Sequence, residues 1–276
     1  MSNYQKINVV QLGNISETML ITLWAKAAET KHSQPVLYDE KAVEIVGKID
    51  YDFSKFKRVN LSQLGVCVRA KLIDNEVKRF IKKFPDAVII QLGAGLDARY
   101  QRLGNPPITH WYDLDLEEVI TVRKKFIEPT EKNTFLSMSL FDNQWIEKVK
   151  SHNKPVFVIA EGVLMYFEEK EIRSFFENLC TNFQELTVVF DMLFYKGVGR
   201  AKRHATLKTM KNVPEFKWSL LNTHDMEKWH KKIHIEKEYY MSDFYGKRLP
   251  FFWRLLYKIP YVYKNLNQRV VRLKIK

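Results

Sequence analysis

Residues 88–100 read VIIQLGAGLDARY, an apolar run that leads directly into two glycines, Gly93 and Gly95. The chain has only 10 glycines in 276 residues, so this placement is informative. Glycine has no Cβ, which lets the backbone turn sharply and pass close to a ligand. The stretch therefore predicts a strand that brings the chain to a nucleotide-like cofactor, although a purely structural turn would give the same Gly-x-Gly pattern.

The next strand-like run supplies carboxylates at the distance that a nucleotide site requires. In nucleotide-binding α/β units, an acidic residue about 20 positions after the glycines binds the ribose hydroxyls. The segment WYDLDLEEV offers two candidates, because Asp113 follows Gly93 by 20 residues and Asp115 follows Gly95 by 20. Spacing alone leaves both candidates open.

The glycine pattern also bears on the type of cofactor. The segment GAGLDA, residues 93–98, lacks the third glycine of the dinucleotide pattern, which lets a helix pack close under a pyrophosphate. S-adenosylmethionine carries adenosine without phosphates and tolerates that loss. Its carboxylate needs a cation, and the planar guanidinium of arginine suits that role. The sequence therefore favours S-adenosylmethionine over NAD.

Apolar runs alternate with helical segments along the chain. We predict strands over 87–92, 108–114, 155–160 and 186–193. Helices are predicted over 15–31 and 65–84, and over EEKEIRSFFENL, where apolar residues recur at helical spacing. This order is typical of an α/β fold with a mostly parallel sheet covered on both faces. The final segment QRVVRLKIK alternates apolar and basic residues and predicts a half-exposed strand.

The excess of positive over negative charge lies in the last third of the chain. The net charge is +13, and residues 192–276 carry 20 Lys and Arg against 6 Asp and Glu, whereas residues 1–191 carry 25 against 26. Such an excess fits an anionic substrate, a nucleic acid or an anionic membrane surface. A lysine-rich surface without a partner is an equally plain interpretation.

Other features limit the compartment and the metal chemistry. Cys67 and Cys180 form no disulfide framework, and no segment has the length of a signal peptide core or of a transmembrane helix. We therefore expect a cytoplasmic protein without a membrane span. His230 and His234 in HKKIH have the spacing of one helical turn, but a third ligand is not evident, so no metal is expected.

Three segments resemble the leucine carboxyl methyltransferase family and its branch of tetracenomycin-type polyketide O-methyltransferases. They are VIIQLGAGLDARYQRL, WYDLDLEEVITVRKKF and VIAEGVLMYFEEKEI, and the helix VRAKLIDNEVKRFI matches in order. The resemblance covers most of residues 15–180. It implies a Rossmann-like class I methyltransferase with a seven-stranded sheet, in one domain over 1–276. Within it, 15–84 would form a helical cover, 85–193 the cofactor-binding core, and 194–276 a lid and the C-terminal strands.

The resemblance also implies roles for individual residues toward S-adenosylmethionine. Arg69 would pair with the cofactor carboxylate, and Gly93 and Gly95 would let the backbone pass the methionine portion. Asp115, rather than Asp113, would bind the ribose hydroxyls. Glu161 would face the sulfonium or amino end of the cofactor.

The adenine end departs from the family pattern. Where the family often has Asp-Leu, the segment SMSLFDNQW places Ser139 and Leu140. A serine hydroxyl accepts the same hydrogen bond without charge assistance. The alternative is that Asp142 has taken over this contact.

The predicted reaction is methyl transfer to a carboxylate or phenolic oxygen of a small, polyketide-like molecule. Tyr166 is the candidate on the acceptor side, where its hydroxyl would donate to the acceptor oxygen, although a core tyrosine fits the sequence equally well. Residues 15–50 and 195–230 are expected to cover the cofactor edge and exclude water. The alternatives are a protein C-terminal carboxyl methyltransferase, or a basic protein that binds nucleic acid or a membrane surface. Under the favoured interpretation no nucleic-acid partner is expected.

Overall fold

The computed structural model describes residues 7–8, 14–56, 60–201 and 214–276. The helices are α1 Asn14–Thr30, α2 Glu40–Lys48, α3 Asn60–Lys83, α4 Arg99–Arg102, α5 Glu117–Arg123, α6 Gln144–Lys150, α7 Glu169–Asn182, α8 Phe251–Leu256 and α9 Pro260–Leu266. The strands are β1 Ile7–Asn8, β2 Ile49–Asp50, β3 Val88–Leu92, β4 His110–Asp115, β5 Asn133–Ser137, β6 Val156–Ala160, β7 Leu186–Met192, β8 Ile233–Tyr240 and β9 Arg269–Ile275.

Seven of these strands form one sheet in the order β5-β4-β3-β6-β7-β9-β8. The strands from β5 to β7 are parallel, and β9 runs antiparallel to both of its neighbours. The chain leaves β3 toward β4 and later returns on its other side as β6, so the strand order reverses at β3. In open parallel sheets a ligand binds beyond the carboxyl ends of the strands at such a point.

Both faces of the sheet are covered, which explains why β3 reads as a continuous apolar run. Val88 and Ile90 pack on one face with Phe176 of α7, whereas Ile89 packs on the other with Ile73 of α3. A strand buried on both faces gains from apolar residues at every position. The predicted Rossmann-like class I methyltransferase fold is confirmed.

Local signals set several helix boundaries. The carboxylate of Asp39 accepts the amide of Ala42 at 2.9 Å and caps α2. Glu168 and Glu171 form a reciprocal capping box at the start of α7. Within the part of the chain that the structure describes, no helix has both the length and the apolar character needed to cross a membrane.

The last strand agrees with its predicted alternation but occupies an interior position. Val271, Leu273 and Ile275 are buried whereas Arg272 and Lys274 are partly exposed, and β9 lies inside the sheet between β7 and β8. Arg269 is buried and donates to the hydroxyl of Thr223 at 2.8 Å. Arg272 pairs with Glu76 at 2.8 Å. Ion pairs and hydrogen bonds let these basic residues occupy an interior strand.

Candidate functional site

The carboxyl ends of the strands open into a cavity of about 620 Å³. All eight residues that the sequence assigned to the site line this cavity, and they come from α3 and from the ends of β3, β4, β5 and β6. They are Arg69, Gly93, Gly95, Asp115, Ser139, Leu140, Glu161 and Tyr166. Their individual roles toward a ligand remain predictions.

The turn after β3 depends on its glycines. Gly93 and Gly95 have φ angles of 65° and 52°, a region that side-chain-bearing residues rarely adopt. A Cβ on Gly93 would stand 2.2 Å from Cγ2 of Val163. Substitution at Gly93 is therefore excluded by backbone conformation and by the loop that follows β6.

Asp115 closes this turn from the neighbouring strand. Its Oδ2 accepts the amide of Gly95 at 2.8 Å, and its Oδ1 accepts the amide of Leu116 at 2.8 Å. Burial raises the pKa of the Asp115 carboxyl above its ordinary value, although these two amides act in the opposite direction. A carboxylate that lines a cavity with backbone donors alone has lone pairs left to accept ribose hydroxyls.

Asp113 has a structural role in the same strand. It is buried, and its carboxylate accepts from Arg123 Nη2 at 2.7 Å, from the Trp111 indole at 2.9 Å and from the Asn133 side chain at 2.9 Å. These contacts support a structural role for Asp113. Every oxygen of this carboxylate is engaged away from the cavity.

Arg123 connects Asp113 to the glycine turn that follows β3. Besides its ion pair with Asp113, its guanidinium donates to the carbonyl oxygens of Gly95 and Asp97, each at 2.9 Å. The side chain is fully buried. The Asp113–Arg123 pair therefore holds the glycine turn from the side away from the cavity, and the side of the turn that faces the cavity stays accessible.

Glu161 sits between two buried arginines. Its Oε1 accepts from Arg69 Nε at 3.0 Å, and its Oε2 is paired with Arg99. Arg69 also pairs with Asp191 at 2.9 Å. Asp191 lies near the carboxyl end of a strand, β7, as Asp115 and Glu161 lie at the ends of β4 and β6. Its Oδ1 accepts the amide of Gly162 at 2.5 Å. Arg69 is therefore a buried and paired residue, not an exposed charge on the surface of α3.

The ion pairs continue as a connected buried network around the cavity. Its members are the carboxylates Asp39, Asp74, Asp97, Glu161 and Asp191 and the cations Lys26, Arg69, Arg99 and Arg102. Counted as ionised, five carboxylates against four cations leave one net negative charge. S-adenosylmethionine has a sulfonium, an ammonium and a carboxylate, hence one net positive charge. The network is therefore complementary in sign to this cofactor.

The pKa shifts of Glu161 and Asp97 agree with an ionised network, whereas burial raises the pKa of Asp191 above its ordinary value. Burial alone would raise the pKa of Glu161, but the nearby guanidinium groups of Arg99 and Arg69 outweigh it and lower that pKa. The pKa of Asp97 is held well below its ordinary value, because Arg102 and Arg99 outweigh the effect of burial. Glu161 and Asp97 therefore remain carboxylates at neutral pH.

Gln91 supplies an independent test of the fit. It lines the cavity, and its Nε2 donates to Asp97 at 3.0 Å. Its Oε1 is buried and has no hydrogen-bond partner among the described residues. A buried acceptor without a donor is costly. The ammonium group of S-adenosylmethionine is the kind of donor that this oxygen lacks, so the residues present fit the cofactor.

The end of the cavity that is predicted to hold adenine is lined by Met138, Ser139 and Leu140. The hydroxyl of Ser139 accepts the amide of Phe141 at 3.2 Å, and its own proton is available to a ligand. Asp142 is not among the residues that line the cavity, and its Oδ1 accepts the amide of Gln144 at 2.9 Å at the start of α6. The alternative assignment of adenine recognition to Asp142 is therefore not supported.

The cover of the cavity differs in part from its prediction. Helix α1 contributes lining residues from Thr18 to Lys26, as expected for 15–50. Of the second predicted segment, 195–230, Phe216 lines the cavity, and residues 202–213 lie outside the described chain. Both predicted segments therefore contribute to the cover, but they do not form it alone. The insertion between β8 and β9 adds aromatic and aliphatic residues to the wall: Tyr245, Leu249, Trp253, Tyr257 and Leu266.

Tyr166 lies between the charged network and this apolar wall. Its ring is 5.8 Å from the ring of Phe216, and its hydroxyl has a hydrogen bond with Thr18. Burial raises the pKa of Tyr166 to about 12. The hydroxyl is therefore protonated at neutral pH and can donate a hydrogen bond, but it cannot act as a base there.

Sequence reasoning missed several members of the site, although signals for them were present. Asp97 and Arg99 stand inside the stretch that first indicated the site, and Asp191 marks a strand end as Asp115 and Glu161 do. Lys26 on α1 gave no such signal, because its pairing with Asp97 at 2.6 Å depends on tertiary packing. The histidines of HKKIH are not on a helix, since His234 lies in β8.

Comparison with known proteins identifies relatives of this arrangement. The model of the family described as leucine carboxyl methyltransferase matches residues 19–180. The tetracenomycin polyketide synthesis O-methyltransferase TcmP of Streptomyces glaucescens is 28% identical over 234 residues, which cover 85% of this chain and 86% of that protein. The S-adenosyl-L-methionine-dependent methyltransferase dpfgK of Gibberella zeae is 28% identical over 201 residues, which cover 67% of each.

Solved structures share the architecture. A putative S-adenosylmethionine-dependent methyltransferase from Listeria monocytogenes superposes with a TM-score of 0.50 at 11% identity. The match covers 76% of this chain and 99% of that one. At this identity the likeness shows the fold alone.

Proposed function

Because this chain belongs to the leucine carboxyl methyltransferase family, we propose that it methylates an oxygen of a small, largely apolar molecule, with a carboxylate as the preferred acceptor. Its relatives show that the chain is an S-adenosylmethionine-dependent methyltransferase. The observation that supports the finer proposal is the position of Tyr166. This protonated hydroxyl stands between the network that suits the cofactor and the aromatic wall that suits an organic acceptor.

The residues around the cavity divide the cofactor between them in this proposal. Arg69 and Gln91 would hold the carboxylate and the ammonium of the methionine portion. Asp115 would accept the ribose hydroxyls, and Ser139 and Leu140 would border adenine. The glycine turn has no side chain that would obstruct the backbone approach.

The bound cofactor supplies a methyl group on a positively charged sulfur, which makes the carbon reactive without further activation. What the protein adds is position, and holding two reactants in line can supply about 7–11 kcal/mol. Helix α1 and the insertion between β8 and β9 exclude water from the same space. Glu161, fixed by Arg69 and Arg99, keeps a negative charge at this end of the site.

The preference for a carboxylate follows from Tyr166. A carboxylate is ionised at neutral pH and needs no base, whereas a phenol with a pKa near 10 would benefit from one. Tyr166 keeps its own proton up to about pH 12 and so can orient an acceptor that arrives ionised. The relative from Streptomyces, which is named for tetracenomycin polyketide synthesis, supports a polyketide-like acceptor.

A panel of acceptors tests this proposal. Labelled methyl transfer is measured with an aromatic carboxylic acid, the phenol and the alcohol on the same ring, and a peptide that ends in leucine. We expect the acid to react fastest, with kcat/KM falling roughly 3- to 10-fold at about 1 M salt, because salt screens attraction to the basic C-terminal third. Transfer to the peptide alone, or to the phenol without any response to salt, would contradict the proposal.

The same assay on the Tyr166→Phe variant tests the role of the Tyr166 hydroxyl. Loss of the hydrogen bond that orients the acceptor oxygen should lower kcat with the acid about 10- to 100-fold, because the acceptor is then less well aligned with the methyl group. The affinity for S-adenosylhomocysteine should stay unchanged, since the phenol hydroxyl belongs to the acceptor side. Equal kcat values for the two proteins would remove Tyr166 from the mechanism.

We include a cytoplasmic setting in this proposal. Cys67 and Cys180 are both buried and free, as suits a reducing compartment. Burial raises the pKa of the Cys67 thiol to about 12 and that of the Cys180 thiol to about 11, so neither is reactive at neutral pH.

A further inference from the structure

The insertion between β8 and β9 exposes large apolar side chains on its outer side. Phe251 is 76% exposed and Phe252 is 64% exposed, values far from those of ordinary core phenylalanines. The same insertion carries further exposed apolar residues: Phe244, Leu255, Ile259 and Tyr261. We call these six residues the outer apolar patch. Clustered exposure of this kind marks an interaction surface.

Helical spacing separates the outer side of this insertion from its inner side. Phe251 and Leu255 lie one turn apart on α8 and face outward, and Ile259, directly before α9, is also exposed. Trp253 and Tyr257 are also four residues apart, but they line the cavity. The exposed phenylalanines are therefore not required to close the site, and the cavity wall does not explain them.

Basic residues flank the outer apolar patch. Lys247, Arg254, Lys258 and Lys264 are exposed, and none is in an ion pair with a described residue. Residues 244–264 contain no aspartate or glutamate. This segment thus carries five of the 20 Lys and Arg residues of the last third and a net positive charge beside its apolar side chains.

We propose that this surface docks on a lipid bilayer that contains anionic lipids. Exposed phenylalanines beside lysines and arginines are the composition of interfacial segments, which bury apolar side chains at the headgroup boundary and pair their cations with anionic headgroups. Docking here places the cavity wall formed by Trp253 and Tyr257 at the membrane surface.

Charge argues against the other occupants of the patch. A second copy of the chain in a two-fold contact would bring the same uncompensated cations together. A single-stranded nucleic acid would use aromatic rings and cations, but it gains little from the aliphatic side chains of Leu255 and Ile259. Both alternatives are included as outcomes of the test.

The experiment measures co-sedimentation of the full chain with vesicles of zwitterionic lipid, alone or with about 30% anionic lipid. We expect binding to the anionic vesicles only, weakened by salt. Arg254→Gln with Lys258→Gln should weaken it about 30-fold, since each cation near an anionic surface contributes about fivefold. Phe251→Ser with Phe252→Ser should weaken it at least tenfold. In the wild-type protein, brominated lipids should quench tryptophan fluorescence.

Matched controls keep the result interpretable. Lys148→Gln with Lys170→Gln removes two exposed lysines on α6 and α7 and should leave vesicle binding unchanged. All variants should retain their affinity for S-adenosylhomocysteine, which shows that they are folded. Wild-type binding that ignores lipid charge, or patch variants that bind like the wild type, would overturn the proposal. So would a dimer in light scattering that the patch variants dissociate, or tighter binding to a single-stranded oligonucleotide than to vesicles.

Discussion

Replacing Glu161 with glutamine should weaken binding of S-adenosylmethionine by about 30- to 100-fold, or about 2–3 kcal/mol. Glutamine keeps the shape of the side chain but removes the charge that lies between Arg69 and Arg99. The network then loses its net negative charge and two buried guanidinium groups lose their shared partner. The free energy of unfolding should fall by about 3–5 kcal/mol as well. Calorimetric titration and thermal unfolding measure the two effects.

The control for Glu161→Gln is Glu169→Gln at the start of α7. Glu169 forms an exposed pair with Arg173 at 3.1 Å, and exposed pairs of this kind contribute little. The control variant should match the wild type in both measurements. If Glu161→Gln also matched the wild type, the buried network would have no part in cofactor binding.

Replacing Asp113 with alanine should lower the free energy of unfolding by about 3–5 kcal/mol. The substitution leaves the guanidinium of Arg123 buried without its ion-pair partner, and it also removes the acceptor of Trp111 and Asn133. For a domain of this size the melting temperature should drop by about 6–15 °C. Thermal unfolding followed by circular dichroism measures the shift.

Asp115→Ala is the matched control from the same strand, and the opposite pattern is expected for it. Among the described residues, Asp115 accepts hydrogen bonds only from the amides of Gly95 and Leu116. Its loss should therefore lower the free energy of unfolding by about 1–2 kcal/mol. Its effect on the affinity for S-adenosylhomocysteine should be much larger than that of Asp113→Ala. Equal effects of the two substitutions on affinity would mean that the ribose contact is wrongly assigned.

The strand ends of this fold were predictable because local sequence determines them. A continuous apolar run before Gly93 indicates a buried parallel strand, and the next run ends in Asp115 at the distance of a ribose ligand. The carboxyl ends of parallel strands meet at one edge, so these residues converge without any knowledge of tertiary detail.

What the sequence could not predict depends on packing between distant segments. Lys26 reaches Asp97, and Arg69 joins Glu161 to Asp191, across separations that no periodicity reports. The alternation in β9 indicated its partly exposed face, but not its interior position in the sheet or the partners of Arg269 and Arg272 on neighbouring elements. The contribution of the insertion between β8 and β9 to the cavity wall was also missed. Both faces of this insertion carry aromatic residues, so the sequence does not indicate which of them faces the cavity.

Calorimetric titration of the wild-type protein with S-adenosylhomocysteine tests the central claim most directly. The claim is that the glycine turn, Asp115 and the Glu161 network together hold an adenosine cofactor without phosphates. We expect one site per chain with a dissociation constant in the micromolar range, and no competition from NAD. Binding of NAD in the absence of any binding of S-adenosylhomocysteine would contradict the account.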